Sequence, residues 1–137
     1  MIKEKKYQHI TKFTVAVDCI VFGFDGTRLK ILLVKRGLEP EKGKWSLMGG
    51  FVGKRENADE AAARVLYHLT GMNNIYMEQL YTFSDVKRDT AGRVVSIAYF
   101  ALINIADYSR QLQLEHEAKW FLLNRIPPLI FDHRKIF

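Results

Sequence analysis

The sequence has few of the residues that cross-link a chain: one cysteine, Cys19, among 137 residues. A single cysteine excludes an internal disulfide framework and is typical of a reducing compartment. Long hydrophobic runs are also missing, since no window approaches the ~18 consecutive apolar residues of a membrane helix. The charged N-terminus is not followed by an apolar segment, so no secretory signal is predicted. We therefore expect a cytoplasmic protein with no membrane partner.

The residues that are present are those of an ordinary globular protein. The chain is 48% hydrophobic and 26% charged, and its length predicts a single domain. Net charge is +6, and half of this excess lies in residues 1–12, where four lysines face one glutamate. We predict a solvated basic arm at residues 1–12, which leaves contact with nucleic acid or another acidic surface as the alternative. Cys19 lies in an apolar run, which predicts a buried and inert thiol.

The order of predicted elements indicates an α+β fold with mixed strand pairing. Residues Asp25 and Gly26 are typical of a hairpin turn between the first two strands. Asn57, with Glu60 three residues later, predicts a helix start, and Gly71 predicts its end. Runs rich in apolar, β-branched or aromatic residues predict strands at 13–24, 28–36, 45–52, 74–83, 93–103 and 118–123.

One apolar stripe runs along the predicted helix. Its members recur at steps of three and four residues and are Ala58, Ala61, Ala62, Val65 and Leu69. The stripe predicts that Val65 and Leu69 belong to the packing face of the helix.

The same region carries a spaced motif. Glycine, glutamate, arginine, an aliphatic residue and a final glycine stand at Gly50, Glu56, Arg64, Leu66 and Gly71. This spacing resembles the Nudix box, in which an arginine is followed by three helix glutamates. The resemblance implies a Nudix fold, a mixed β-sheet sandwiched by helices.

Three positions depart from the Nudix pattern, because the helix glutamates are replaced by Val65, His68 and Leu69. Nudix hydrolases cleave a diphosphate with Mg²⁺, which requires oxygen ligands in near-octahedral geometry. Valine and leucine supply no oxygen, and histidine is a poor magnesium ligand. We therefore predict no catalytic residue, no metal and no cofactor.

A Mg²⁺-dependent hydrolase of a nucleoside diphosphate derivative remains the alternative. It would need carboxylates from outside the motif, and the candidates are Glu78, Asp85, Asp89, Glu115 and Glu117. Arg64 has two interpretations, a phosphate clamp or a structural ion pair with Glu56. We favour the ion pair, because arginine binds a carboxylate with two parallel hydrogen bonds.

The cleft of such a fold would still bind a ligand. Basic side chains would bind a phosphate or sugar, aromatic rings would stack on a ligand ring, and paired glycines would allow close backbone approach. Alternatively, Trp45 is a core anchor, and the basic loop side chains are solvated. The candidate ligand-binding residues are Arg36, Trp45, Gly49, Gly50, Glu56, Arg88, Arg93 and Tyr99.

Two later segments sharpen the resemblance. Residues 88–99 and 127–133, together with the altered box, resemble the Nudix-related transcriptional regulators over about residues 13–133. In that family an N-terminal Nudix-like domain senses a small effector, and a C-terminal winged helix binds DNA. The resemblance implies a Nudix-like domain at 13–130 and, at 131–137, the start of a linker to a winged helix that this chain does not contain.

The runs at 18–24, 45–52, 76–83 and 93–103 resemble the sugar-regulator branch of this family, which binds a pentose such as L-arabinose, more closely than the branch that binds ADP-ribose. The effector stays open between these two classes. The resemblance also implies a homodimer whose arrangement the effector changes, so that DNA is contacted only through the absent domain. The residues predicted for the dimer or interdomain face are Ile130, Phe131, Ile136 and Phe137.

Overall fold

The computed structural model describes residues 10–35, 43–85, 93–108, 118–127 and 129. Along the chain the elements are β1 Thr14–Phe24, β2 Leu29–Lys35, β3 Trp45–Ser46, β4 Met48–Phe51, α1 Ala58–Thr70, β5 Glu78–Phe83, β6 Val94–Asn104, α2 Ile105–Tyr108, β7 Ala118–Leu122 and a 3₁₀ turn at Leu123–Arg125. No helix in these ranges is long and apolar enough to cross a membrane. Most of the predicted arm and all of the predicted linker at 131–137 lie outside the described residues.

A single mixed sheet is built around β1. Its strand order is β3-β2-β1-β6-β5, while β4 pairs with β1 and β7 pairs with β2. Strands β1 and β6 run parallel over eleven residue pairs, from Thr14 opposite Val94 to Phe24 opposite Asn104. The other pairs are antiparallel. The predicted α+β architecture with mixed pairing is confirmed.

Most element boundaries agree with the predicted ones to within about a residue. The predicted strand at 45–52 is divided at Leu47 between β3 and β4. The predicted strand at 74–83 begins only at Glu78, because Asn74 adopts a left-handed conformation with φ 57° that cannot continue a strand. The short helix α2 was not predicted, since four residues carry too little periodicity to be recognised.

Helix α1 begins and ends where the sequence predicts. The side chain of Asn57 accepts a hydrogen bond from the backbone N–H of Glu60 at 2.8 Å, and Glu60 Oε1 accepts one from the N–H of Asn57 at 3.0 Å. At the other end Gly71 has φ 80°, and its N–H donates to the carbonyl of Tyr67 at 2.7 Å. The capping interactions that the sequence predicts are therefore present at both ends of this helix.

The two faces of the sheet carry separate apolar clusters. Helix α1 covers one face, where Val17, Cys19 and Val21 of β1 alternate toward it. On the other face Ile20 is buried among neighbours that include Trp45 and Phe121. Burial, with a smaller contribution from Asp18, raises the pKa of the Cys19 thiol to about 12. This thiol stays protonated at neutral pH, as its position in an apolar run predicted.

Candidate functional site

The two glycines of β4 are closely approached by side chains of helix α1 and strand β1. A Cβ atom on Gly50 would lie 2.6 Å from Cγ2 of Val65. A Cβ atom on Gly49 would lie 2.7 Å from Oδ1 of Asp18, which is a buried side chain on β1. Side chains of the protein itself thus make the close approach that the paired glycines predicted. A ligand contact at either glycine stays a prediction.

Glu56 and Arg64 join the loop after β4 to the surface of α1. Arg64 donates from Nε to Glu56 Oε2 at 3.0 Å and from a terminal nitrogen to Glu56 Oε1 at 2.7 Å. The same terminal nitrogen donates to the carbonyl of Phe51 at 2.7 Å, and the N–H of Gly53 donates to Glu56 Oε1 at 2.8 Å. Glu56 and Arg64 therefore form the ion pair that we favoured, and its structural role, as opposed to a phosphate clamp, stays a prediction.

The electrostatics of this ion pair follow from those hydrogen bonds. The bonds from Arg64, and next the bond from the N–H of Gly53, hold the pKa of Glu56 below its ordinary value. The arginine side chain is 51% exposed, so solvent screens the pair. Both carboxylate oxygens of Glu56 accept hydrogen bonds, so the pair links the loop to helix α1.

The three positions that depart from the Nudix pattern lie in different environments. Val65 is 4% exposed and belongs to the core between α1 and the sheet. Leu69 is half-buried and packs against the same core, whereas His68 is exposed. The predicted packing role of Val65 and Leu69 is confirmed. Within the described ranges no group of three or more His, Cys, Asp or Glu side chains is arranged to hold a metal ion.

Tyr99 on β6 is the centre of a polar contact that the sequence did not predict. Its hydroxyl donates to Oδ1 of Asp59 at 2.5 Å and accepts from Nε2 of Gln79 at 3.2 Å. Burial, followed by the bond to Asp59, raises the pKa of Tyr99 to about 12. The ring is only 2% exposed, which leaves no free face for a ligand ring. The stacking role predicted for Tyr99 is therefore incompatible with this structure.

The other predicted ligand-binding side chains do not converge in one described pocket. The ring of Trp45 packs edge to face against Phe121, with centroids 4.9 Å apart, and belongs to the second apolar cluster. This is the core-anchor alternative for Trp45. The guanidinium of Arg93 lies over the ring of Phe13 at 4.6 Å. Arg36 and Arg88 fall outside the described residues.

A surface depression of about 440 Å³ lies where β6 extends past the start of β5. Aromatic and acidic side chains line it, among them Tyr76, Glu78, Phe100, Asp107 and Tyr108. None of the predicted ligand-binding residues lines this depression. No sequence motif pointed to it, because its residues come from two separate segments, 76–78 and 100–108.

Comparison with known proteins extends these observations. A family model described as NUDIX domain matches residues 12–137. The ADPR responsive transcriptional repressor NtrR of Acinetobacter baylyi is 36% identical over 126 residues, which are 89% of this chain and 50% of that repressor. An ADP-ribose pyrophosphatase of Methanocaldococcus jannaschii is 39% identical over 132 residues, covering 96% of this chain and 75% of that protein. The chain thus spans half the length of the repressor.

The fold agrees with that of a solved domain. The NUDIX domain of Shewanella oneidensis NrtR, solved with ADP ribose, superposes with a TM-score of 0.78 at 30% identity. The match covers 98% of this chain and 94% of that domain. The predicted Nudix fold is confirmed, as is the predicted resemblance to Nudix-related regulators.

Proposed function

The chain belongs to the Nudix family, and we propose that it is the effector-binding domain of a transcriptional regulator, which binds ADP-ribose without hydrolysing it. Its similarity to the Acinetobacter repressor and to the Shewanella NrtR domain supports the regulatory half of this proposal. The altered helix positions support the absence of hydrolysis.

One observation carries the non-catalytic part of the proposal. Val65 occupies a position where the Nudix pattern has a glutamate, and its side chain is buried against Gly50. A carboxylate at this place would lose its hydration and would need a cation or donors to compensate. The site has instead become an apolar contact between helix and strand, while the Glu56–Arg64 pair still holds the loop.

ADP-ribose is the effector that we favour over a pentose such as L-arabinose. The names of the repressor, of the pyrophosphatase and of the solved NrtR domain all include this compound. The proposed contacts are Gly49, Gly50 and Arg93, together with Arg36 and Arg88.

The regulatory output would work by differential binding. ADP-ribose would favour one arrangement of a homodimer, and this arrangement would change the affinity of a winged helix for DNA. We place the effector domain at residues 13–130, and the segment at 131–137 would lead toward the DNA-binding part of such a regulator. DNA contact would then come from a domain that residues 1–137 do not include.

Hydrolysis is the second candidate, because one relative with a pyrophosphatase name covers nearly the whole of this chain. Turnover would require Mg²⁺ held by carboxylates outside the Nudix helix. In the described part of the chain, Glu78 and Asp85 are the remaining candidates from the sequence, and neither lies on α1. The sensor predicts ligand binding without Mg²⁺ and an intact ligand, whereas the hydrolase predicts a requirement for Mg²⁺ and a cleaved product.

The test is a calorimetric titration of the purified protein with ADP-ribose, L-arabinose and D-xylose, with and without Mg²⁺, followed by chromatography of the ligand. We expect binding of ADP-ribose that needs no metal, with the compound recovered intact. Release of AMP and ribose 5-phosphate only when Mg²⁺ is present would support the hydrolase. Binding of L-arabinose alone would overturn the choice of effector and leave the sensor proposal standing.

A further inference from the structure

The depression beside the end of β6 lies away from the Nudix box loop. Strand β6 continues past Phe100, the last of its residues that pairs with β5. On that side, residues 101–104 pair with no strand in the described ranges, so the strand edge is open there. The box loop lies beside the other end of β6, because the N–H of Val52 donates to the carbonyl of Val15, which is opposite Val95. The depression and the box loop are therefore separate places on the sheet.

Aromatic rings form much of the wall of the depression. Tyr76 before β5, Phe100 on β6 and Tyr108 at the end of α2 all line it. Tyr76 is 78% exposed, so its ring is accessible to a ligand. Its hydroxyl donates to Oε1 of Glu78 at 2.9 Å, which holds the ring beside a carboxylate. Binding sites for small molecules are typically concave and largely apolar with a few polar groups, and this depression has that composition.

The charged groups of the depression are of one sign. Its carboxylates are Glu78 and Asp107, and no lysine, arginine or histidine of the described chain lines it. Within the described ranges neither carboxylate forms an ion pair with a basic side chain. Carboxylates attract a cation, and the faces of aromatic rings also carry negative potential. The depression therefore matches a ligand that is both positively charged and partly apolar.

We propose that this depression binds a small organic cation. The charge of an ammonium group is neutralised by Glu78 and Asp107, and its methyl or methylene groups contact the rings of Tyr76, Phe100 and Tyr108. The site goes beyond the proposed function, since ADP-ribose is an anion that the two carboxylates repel. The domain then takes two ligands of opposite charge at separate sites.

The probe is tetramethylammonium, and its neutral control is tert-butanol, which is of similar size and carries no charge. Both are titrated into the full chain at constant ionic strength, and binding is followed by NMR shifts of the backbone amide signals. We expect tetramethylammonium to shift signals of residues 76–78 and 100–108 with a Kd of about 1 mM or weaker, because the charges are screened by solvent. The neutral control should bind at least about fivefold more weakly.

The carboxylates are tested by substitutions that remove charge and keep shape. Glu78→Gln and Asp107→Asn should each weaken tetramethylammonium binding by about twofold to fivefold, the range for an exposed ion pair, and the double variant should lose more. The matched control is Glu60→Gln, because Glu60 is an exposed carboxylate outside the depression and glutamine retains its capping role. This control should bind like wild type.

The aromatic contribution is tested at Tyr76. Tyr76→Ala removes the ring and should weaken binding by about twofold to fivefold. Tyr76→Phe keeps the ring and loses only the hydrogen bond to Glu78, so it should bind nearly like wild type. Tyr76 is exposed, so both variants should fold, and the amide spectrum without ligand verifies this.

Equal affinity for tetramethylammonium and tert-butanol would overturn the inference, as would wild-type affinity in the Glu78→Gln/Asp107→Asn protein. Calorimetry should find ADP-ribose binding unchanged in this double variant. Loss of ADP-ribose binding there would also overturn the inference, because the depression would then be part of the effector site. If tetramethylammonium binds as expected and the wild type does not bind ADP-ribose, the inference holds and the proposed function is wrong.

Discussion

The loop that precedes helix α1 and the second half of that helix differ in how much of the Nudix pattern they keep. The loop keeps the polar frame of the Nudix box, with Arg64 binding Glu56 at the surface. The second half replaces the acidic positions and buries Val65 against Gly50. In this protein the loop is held by the Glu56–Arg64 pair and by the N–H of Gly53, although the three acidic helix positions are replaced.

The two regions also differ in how stability is supplied. Contacts of the exposed frame are screened by water and each contributes little. Contacts at Val65 are apolar, closely packed and sensitive to a single added or removed group. We therefore expect substitutions to become less harmful from the buried helix face to the exposed loop.

The largest effect should come from restoring a glutamate at the most buried position. We expect Val65→Glu to destabilise the protein by about 3 to 5 kcal/mol at neutral pH, because the carboxylate would be buried without a partner. Chemical denaturation measures the change, and Val65→Ala separates lost packing from buried charge.

The other two positions complete this series. Leu69→Glu should have an intermediate effect because Leu69 is half-buried, and His68→Glu should cost at most about 1 kcal/mol because His68 is exposed near the helix C-terminus. A Val65→Glu protein as stable as the His68→Glu protein would show that the face is solvated and able to accept a metal.

The next effect concerns the glycine opposite Val65. Gly50→Ala should destabilise the protein by about 1 to 3 kcal/mol, since the new methyl group would overlap the valine. In the Val65→Ala background the same change should cost less, because the clashing methyl group is gone. Urea unfolding of the two single variants and the double variant gives the coupling. Additive effects would contradict a direct contact between these two residues.

The smallest effect should come from the exposed frame. Glu56→Gln keeps the shape of the side chain and removes its charge, so we expect a slightly lower unfolding temperature at pH 7. The pKa of Glu56 is lowered from 4.5 in the folded protein, and its stabilising contribution is therefore present above pH 4.5 and is lost as the pH falls through the lowered pKa. The difference between variant and wild type should narrow in that acidic range. A difference that stays constant through that acidic range would argue against the ion pair as its source.

Several features of this protein follow from neighbouring residues alone. The caps at Asn57 and Gly71 predict the ends of α1 because they act on backbone groups within four residues. The resemblance to the Nudix box implies the pairing of Glu56 with Arg64, and arginine readily forms two hydrogen bonds with a carboxylate. Runs rich in apolar, β-branched or aromatic residues predict both long strands, β1 and β6.

The roles of the candidate ligand-binding residues were harder to predict from the sequence, for a physical reason. Tyr99 and Trp45 are both amphipathic aromatic residues, and such rings occur in cores as well as in ligand sites. Only their neighbours decide between these roles. Asp59 and Gln79, which lie 40 and 20 residues from Tyr99, bind its hydroxyl and assign it to the core. No local pattern could have brought these three side chains together.

The amino-acid sequence alone predicted helix α1, the strands, the Nudix spacing and the loss of the three glutamates. These features depend on short-range periodicity and on residue chemistry. The environment of the substituted positions was settled by folding. Val65 lies against Gly50 because helix α1 packs on β4. Phe13 covers the guanidinium of Arg93 because β1 pairs with β6. Burial and long-range pairing are properties of the assembled sheet, so they appear only in three dimensions.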